Sequence, residues 1–388
     1  MKQARRRLLQ ALRRELPPGL RLSITAEVVK LAASLRVAPL LYRRLAAHPS
    51  VRILPQHLRE IEALYYSTLG ANVALLHELG GLLATLAAHR IPVVVLKGAA
   101  LLESVYEDIG TRCMEDIDLL IAPPDAARTT ELLKSLGYVM KTDIPLRRRP
   151  HTTPHQLPGF VHPQRRSPVE VHLAFVSPPP GHAIRSGEVW ERASPCLIAA
   201  QPGRRFAAED LLLHAALHAT YMDACVGHLY SLCDAAAILE RCRLDWPAFV
   251  QRANAYRVGA YCRLYLRLAQ RLLGVPIPDG VLQDLSRFPH LSAIEERLME
   301  WLAARLMLPS LRGRSSEILG PWLEVCLSTS RRWQRWGWPL RLLLHPAPEN
   351  LEKLRRQPWG YLLARLYELL PGGKKATKPA PGQPGKRP

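Results

Sequence analysis

Residues Val93 to Ile121 constrain the fold more than any other stretch of this 388-residue chain. A β-branched run, Val93-Val94-Val95-Leu96, ends in Lys97-Gly98. A compact helical segment follows from Ala99 to about Glu107, a turn falls at Asp108-Ile109-Gly110, and an extended pattern resumes at Glu115-Asp116-Ile117-Asp118-Leu119-Leu120-Ile121. Successive strand side chains point to opposite faces, so Asp116 and Asp118 project together while Ile117 and Leu119 enter a core. Two carboxylates about 7 Å apart along one strand face repel each other unless a cation sits between them. Taken alone, the pair equally describes the solvated face of an edge strand. Lys97-Gly98 upstream favours a site, because the free N–H groups of a helix N-terminus attract phosphate. A cationic phosphate grip followed by paired acids is the layout of metal-dependent phosphoryl or nucleotidyl transfer.

Leu96-Lys97-Gly98, Tyr106, Arg112, Asp116-Ile117-Asp118-Leu119-Leu120 and Leu136-Gly137-Tyr138 together resemble the uncharacterised nucleotidyltransferase family of the DNA polymerase β superfamily. The likeness is specific over residues 90–175 and weaker to about residue 280. It implies an α+β fold: a small mixed-sheet, polymerase β-like core with N-terminal helices and a C-terminal helical domain. It also implies Mg²⁺-dependent transfer of a nucleoside monophosphate from an NTP, with ATP expected, to an acceptor the residues do not name. The superfamily's third carboxylate falls on Glu170. Asp116, Asp118 and Glu170 would then be the catalytic, metal-holding set. Lys97 and the backbone around Gly98 would hold the β- and γ-phosphates, and Arg112 would balance charge on the leaving pyrophosphate. In one departure, Gly98-Ala99 stands where the superfamily carries Gly-Ser, whose hydroxyl contacts the triphosphate. That departure supports an alternative, a nucleotide-binding or interaction module without the chemistry.

In Val169-Glu170-Val171-His172-Leu173, alternation places Glu170 and His172 on one face and the apolar residues on the other. If this strand lies beside the one bearing Asp116 and Asp118, three carboxylates converge, with His172 as a hydrogen-bonding neighbour. A lone buried Glu would be costly without a partner or a metal.

The formal net charge is +20, from 53 Lys and Arg against 33 Asp and Glu. Such a field attracts nucleotides, nucleic acid or anionic membrane surfaces, so an RNA-acting transferase is a further alternative. The seven cysteines form no C-x-x-C pair, which argues against a disulfide framework or a zinc ribbon and for small core residues in a reducing, cytoplasmic setting. No run of about 18 uncharged apolar residues appears, so no transmembrane span is expected.

Four regions are expected: N-terminal helices over 1–90, an α/β core over 91–200, a helical domain over 201–370 and a basic tail over 371–388. Residues 57–90 carry one long helical pattern, which Gly80-Gly81 interrupts without ending. Gly137 is placed as a helix-terminating glycine. The basic, proline-rich segment 143–167 reads as an insertion, with a short extended piece at 159–162. From Ala207 onward the pattern is helical. His214 and His218 share a helix face but lack the Glu of H-E-x-x-H, and they read as interface histidines. Asp234 could bridge helices or face a base. Arg331-Arg332-Trp333-Gln334-Arg335-Trp336-Gly337-Trp338 interleaves cations with indoles, a pattern suited to a membrane surface or to unpaired bases.

Overall fold

The structure, a computed structural model, describes residues 2–13, 22–46, 51–141, 155–165, 167–177, 184, 186–308, 323, 326 and 327. Residues 1–312 form one compact unit and 313–388 a second. The Arg/Trp stretch at 331–338, the basic tail and the arginine cluster at 147–149 lie outside the described residues.

The first unit opens with α1 (Lys2–Leu12), β1 (Ser23–Ile24), α2 (Ala26–Ser34), α3 (Ala38–Ala46) and β2 (Arg52–Ile53). β1 and β2 pair in parallel, a contact the sequence does not announce. α4 (Pro55–Ala88) then runs for 34 residues, starting on a proline whose fixed φ suits a first helical turn. By length and composition α4 is apolar enough to cross a membrane, although Glu78 interrupts its uncharged run. Here its Leu75, Leu76, Leu79, Leu82, Leu83 and Leu86 are buried, which is how a core helix passes the same test.

Next come β3 (Val94–Val95), α5 (Lys97–Ser104), β4 (Ile117–Leu120), α6 (Ala126–Ser135), β5 (Val139–Met140), β6 (Phe160–Val161) and β7 (Val169–His172). They build a mixed five-stranded sheet in the order β3-β4-β7-β6-β5. Only β4 and β7 run in parallel; the other neighbours are antiparallel. The α4 leucines cover one face of this sheet, packing on Val95, Ile117, Leu119, Phe160, Val169 and Val171. Each such side chain, fully buried, contributes about 1.5–3 kcal/mol, so the apolar half of the alternation fixes the register and sends Asp118 and Glu170 to the opposite face.

α7 (Ser186–Arg192) leads into a hairpin of β8 (Ser194–Ile198) and β9 (Gln201–Arg205). Its turn is Ala199-Ala200, both at positive φ (49° and 59°), where a two-residue hairpin normally carries Asn-Gly. The sequence gives no sign of this hairpin. Gly80 lies beneath it: a Cβ there would come within 3.0 Å of the Ala199 carbonyl oxygen. The glycine that looked like an interruption of α4 is where the hairpin turn approaches the helix.

The remaining elements are helical: α8 (Ala208–Leu217), a π-helical turn (His218–Met222), α9 (Leu229–Arg241), α10 (Trp246–Ala255), α11 (Gly259–Leu273), α12 (Asp279–Asp284) and α13 (Ala293–Leu306). The α+β class expected from the sequence is the class observed.

Candidate active site

β4 and β7 lie side by side with Asp118 directly opposite Glu170 and Leu120 opposite His172. The strand alternation therefore gathers Asp118, Glu170 and His172 on one patch, their ligand atoms within 4.8 Å of one another. Asp118 is only 2% exposed. Its Oδ1 accepts from Lys97 Nζ at 2.7 Å and from His172 Nε2 at 2.9 Å. Lys97 Nζ also lies 3.6 Å from Glu170 Oε2, so one ammonium bridges the two strands. Asp116 immediately precedes β4 and is half-buried.

The electrostatics follow from this crowding. Burial favours the neutral form of Asp118, but the His172 hydrogen bond and the Lys97 charge outweigh it and hold the carboxyl well below the ordinary carboxylate range. Burial likewise opposes the charge on Lys97, yet Asp118, with help from Glu170 and Asp116, raises it above a normal lysine. Asp116 is pushed up to about 6, by burial first and then by repulsion from Asp118 and Glu170, which Lys97 only partly offsets. One lysine does not neutralise three carboxylates, and the deficit falls on Asp116.

Lys97 has a φ of 46°, a left-handed conformation costing roughly 1–2 kcal/mol in a residue with a Cβ. A glycine would relax this backbone at the cost of the ammonium. Strain of this kind collects at functional sites and persists because the surroundings hold it.

Gly98 has a role the sequence does not suggest. A Cβ there would lie 2.5 Å from Arg112 Nη1 and 2.9 Å from the Met114 side chain, so the glycine makes room for these two residues. Ala99 is buried (1% exposed) among the core residues. Arg112 is itself committed. Its Nε and Nη2 donate to the two oxygens of Asp234 on α9 at 2.7 and 2.9 Å, and Tyr106 Oη donates to the same carboxylate at 2.7 Å. Tyr106 and Arg112, distinctive in the sequence, thus converge on Asp234. That carboxylate bridges α9 to the segment leading into β4, in line with the bridging reading of Asp234, though its partners are far away in sequence.

α8 and α9 form the other wall. Lys97, Leu101 and Arg112 line a cavity of about 60 Å³ together with Leu211, His214, His218, His228 and Tyr230. That volume holds a few waters and not a nucleotide. A groove of about 1300 Å³ along α4 is lined by none of Lys97, Asp116, Asp118 or Glu170.

The histidines differ in their partners. His214 is buried against Phe175 and Phe206, where burial holds its pKa well below normal. His218 turns instead to Asp223, which also contacts His228. His155, at one end of the 155–165 segment, is driven down to about 4, by burial first and then by His172, Lys97 and His218.

Among curated proteins none matches the chain. A family profile described as Uncharacterised nucleotidyltransferase matches residues 25–274, a span that holds α2 through α11 and every residue of the acidic cluster. The chain belongs to that nucleotidyltransferase family.

Proposed function

We propose that this protein is a polymerase β-like, Mg²⁺-dependent transferase that moves a nucleoside monophosphate from an NTP to a hydroxyl-bearing acceptor. The observation carrying this reading is the pairing of Asp118 with Glu170 across two parallel strands, bridged by Lys97 Nζ. The residues suit the ion. Asp116, Asp118 and Glu170 offer hard carboxylate oxygens, the donor type Mg²⁺ prefers. Burial first, and then repulsion from Asp118 and Glu170, pushes Asp116 up to about 6, and a divalent cation would offset that repulsion.

When bound, Mg²⁺ supplies charge neutralisation on the phosphates and a more acidic acceptor hydroxyl. The chain's own groups do the positioning. Lys97 contacts both Asp118 and Glu170, and its flexible stem lets the ammonium exchange a carboxylate for a phosphate oxygen. His172 donates to Asp118 and fixes how that carboxylate is presented. Arg112 is assigned to anchoring, since two of its nitrogens are held by Asp234 and a phosphate would have to compete for them.

The test is pyrophosphate release, and transfer of label from alpha-labelled NTPs to acceptors in a lysate, by wild type and by Asp116→Asn plus Asp118→Asn. Mg²⁺-dependent release that disappears in a folded double variant supports the proposal, and equal release refutes it. The buried Ala99 favours a second reading, a nucleotide-binding module without turnover. Calorimetric ATP binding with no pyrophosphate release from wild type would select it.

A further inference from the structure

A second cluster lies on the helical wall, separate from the carboxylates. His218 opens the π-helical turn, Asp223 follows it and His228 directly precedes α9. His218 Nδ1 is 2.8 Å and His228 Nε2 3.1 Å from the same atom, Asp223 Oδ2, and the three ligand atoms lie within 4.8 Å of one another. Two zinc ligands at tetrahedral bond lengths sit about 3.3 Å apart, so these separations need open by only a few tenths of an ångström. Among the described residues Asp223 has no Lys or Arg partner; its contacts are the two imidazoles.

The backbone is bent to make this meeting. Ala224, Cys225 and Gly227 all have positive φ (46°, 64° and 76°), so the loop folds tightly back between the second and third members. Cys225 N–H donates to Ala219 O at 2.7 Å and Gly227 N–H to Leu306 O at 2.8 Å, which fixes the loop at both ends. The π-helical turn, a form that recurs at functional sites, begins at His218 itself.

We infer that His218, Asp223 and His228 form a binding site for a zinc-class divalent cation, distinct from the Asp116, Asp118 and Glu170 cluster. Two imidazoles and one carboxylate are a donor set for Zn²⁺, Co²⁺ or Ni²⁺, whereas Mg²⁺ prefers oxygen alone. Three protein ligands leave a fourth position open, as in zinc sites that hold a water or a substrate oxygen. His218 and His228 also line the small cavity that Lys97 reaches. A water or an oxygen of a bound group in that cavity is the natural fourth ligand.

The test uses the full-length, chelator-treated protein, titrated with Zn²⁺ in a calorimeter and with Co²⁺ in a visible spectrophotometer. The variants are His218→Ala, His228→Ala, Asp223→Asn and Asp118→Asn plus Glu170→Gln. Asp223→Asn keeps a hydrogen-bond acceptor, so it reports on ligation even if an alanine variant folds poorly. Wild type is expected to bind one equivalent of Zn²⁺ and to give a tetrahedral Co²⁺ spectrum free of thiolate bands. Each cluster variant should weaken binding by about 100-fold or more, while the acidic-cluster variant retains it. No Zn²⁺ binding by wild type, or undiminished affinity in Asp223→Asn and His228→Ala, would reduce the cluster to a hydrogen-bonded clamp and overturn the inference. Loss confined to the acidic-cluster variant would overturn it equally.

Discussion

Replacing Lys97 by Met removes one charge and little volume, and the structure sets the cost. Asp118 is 2% exposed and loses a partner at 2.7 Å, while Glu170 loses one at 3.6 Å. Breaking a buried ion pair from one side costs about 3–5 kcal/mol. His172 still donates to Asp118 at 2.9 Å, so the carboxylate keeps one partner and the lower end applies, about 3 kcal/mol. The methionine keeps the aliphatic stem and the strained φ, so neither a cavity nor a backbone contribution enters. A divalent cation restores what the ammonium supplied: at a hundred times its Kd, a ligand stabilises by about 2.7 kcal/mol. In wild type the cation has to displace Lys97 and stabilises less. Urea unfolding should therefore show a large gap between wild type and Lys97→Met in chelator and a much smaller one in Mg²⁺. A variant within about 0.5 kcal/mol of wild type, or a gap that Mg²⁺ leaves unchanged, would refute the reasoning.

Two further outcomes follow from the same corner. Gly98→Ala gains about 1 kcal/mol of helix propensity, but its Cβ meets Arg112 Nη1 at 2.5 Å, and Arg112 is held by Asp234. Overpacking costs about 1–3 kcal/mol, so a net loss of up to about 2 kcal/mol in urea unfolding is expected, and a stabilised variant would show that Arg112 yields. Asp116 has a folded pKa of about 6 against an ordinary 3.8, so between those values the folded state holds the extra proton and stability drains away as pH rises. Without metal, the stability of wild type relative to Asp116→Asn should fall from pH 4 to 6; a flat difference contradicts the shift.

The acidic cluster was legible because alternation is a local rule. Burial of Ile117, Leu119, Val169 and Val171 leaves Asp118, Glu170 and His172 only the other face, so one parallel pairing completes the site. The long helix α4 and the helix-ending Gly137, at φ 89°, were legible for similarly local reasons. Other features were not. Ala199-Ala200 lacks the residues that normally announce positive φ, and the β8–β9 hairpin went unseen. Asp234 looks like any helical acid until Tyr106 and Arg112, far away in sequence, arrive at it. Asp223 and His228 match no familiar ligand spacing; His218 keeps the ring contact with His214 that helix periodicity suggests, 6.1 Å between centroids, while its Nδ1 meets Asp223. Gly98 was visible as a special position, but its reason is the packing of Arg112 and Met114.

The central claim is that carboxylates from two neighbouring parallel strands hold a divalent cation beside Lys97. Electron paramagnetic resonance of Mn²⁺ titrated into the protein, with His218→Ala plus His228→Ala as the background, measures this without reference to nucleotide or acceptor. That background should bind Mn²⁺ that Mg²⁺ competes away, and Asp118→Asn plus Glu170→Gln added to it should leave the Mn²⁺ signal that of the free ion. Undiminished Mn²⁺ binding in that folded variant would contradict the account.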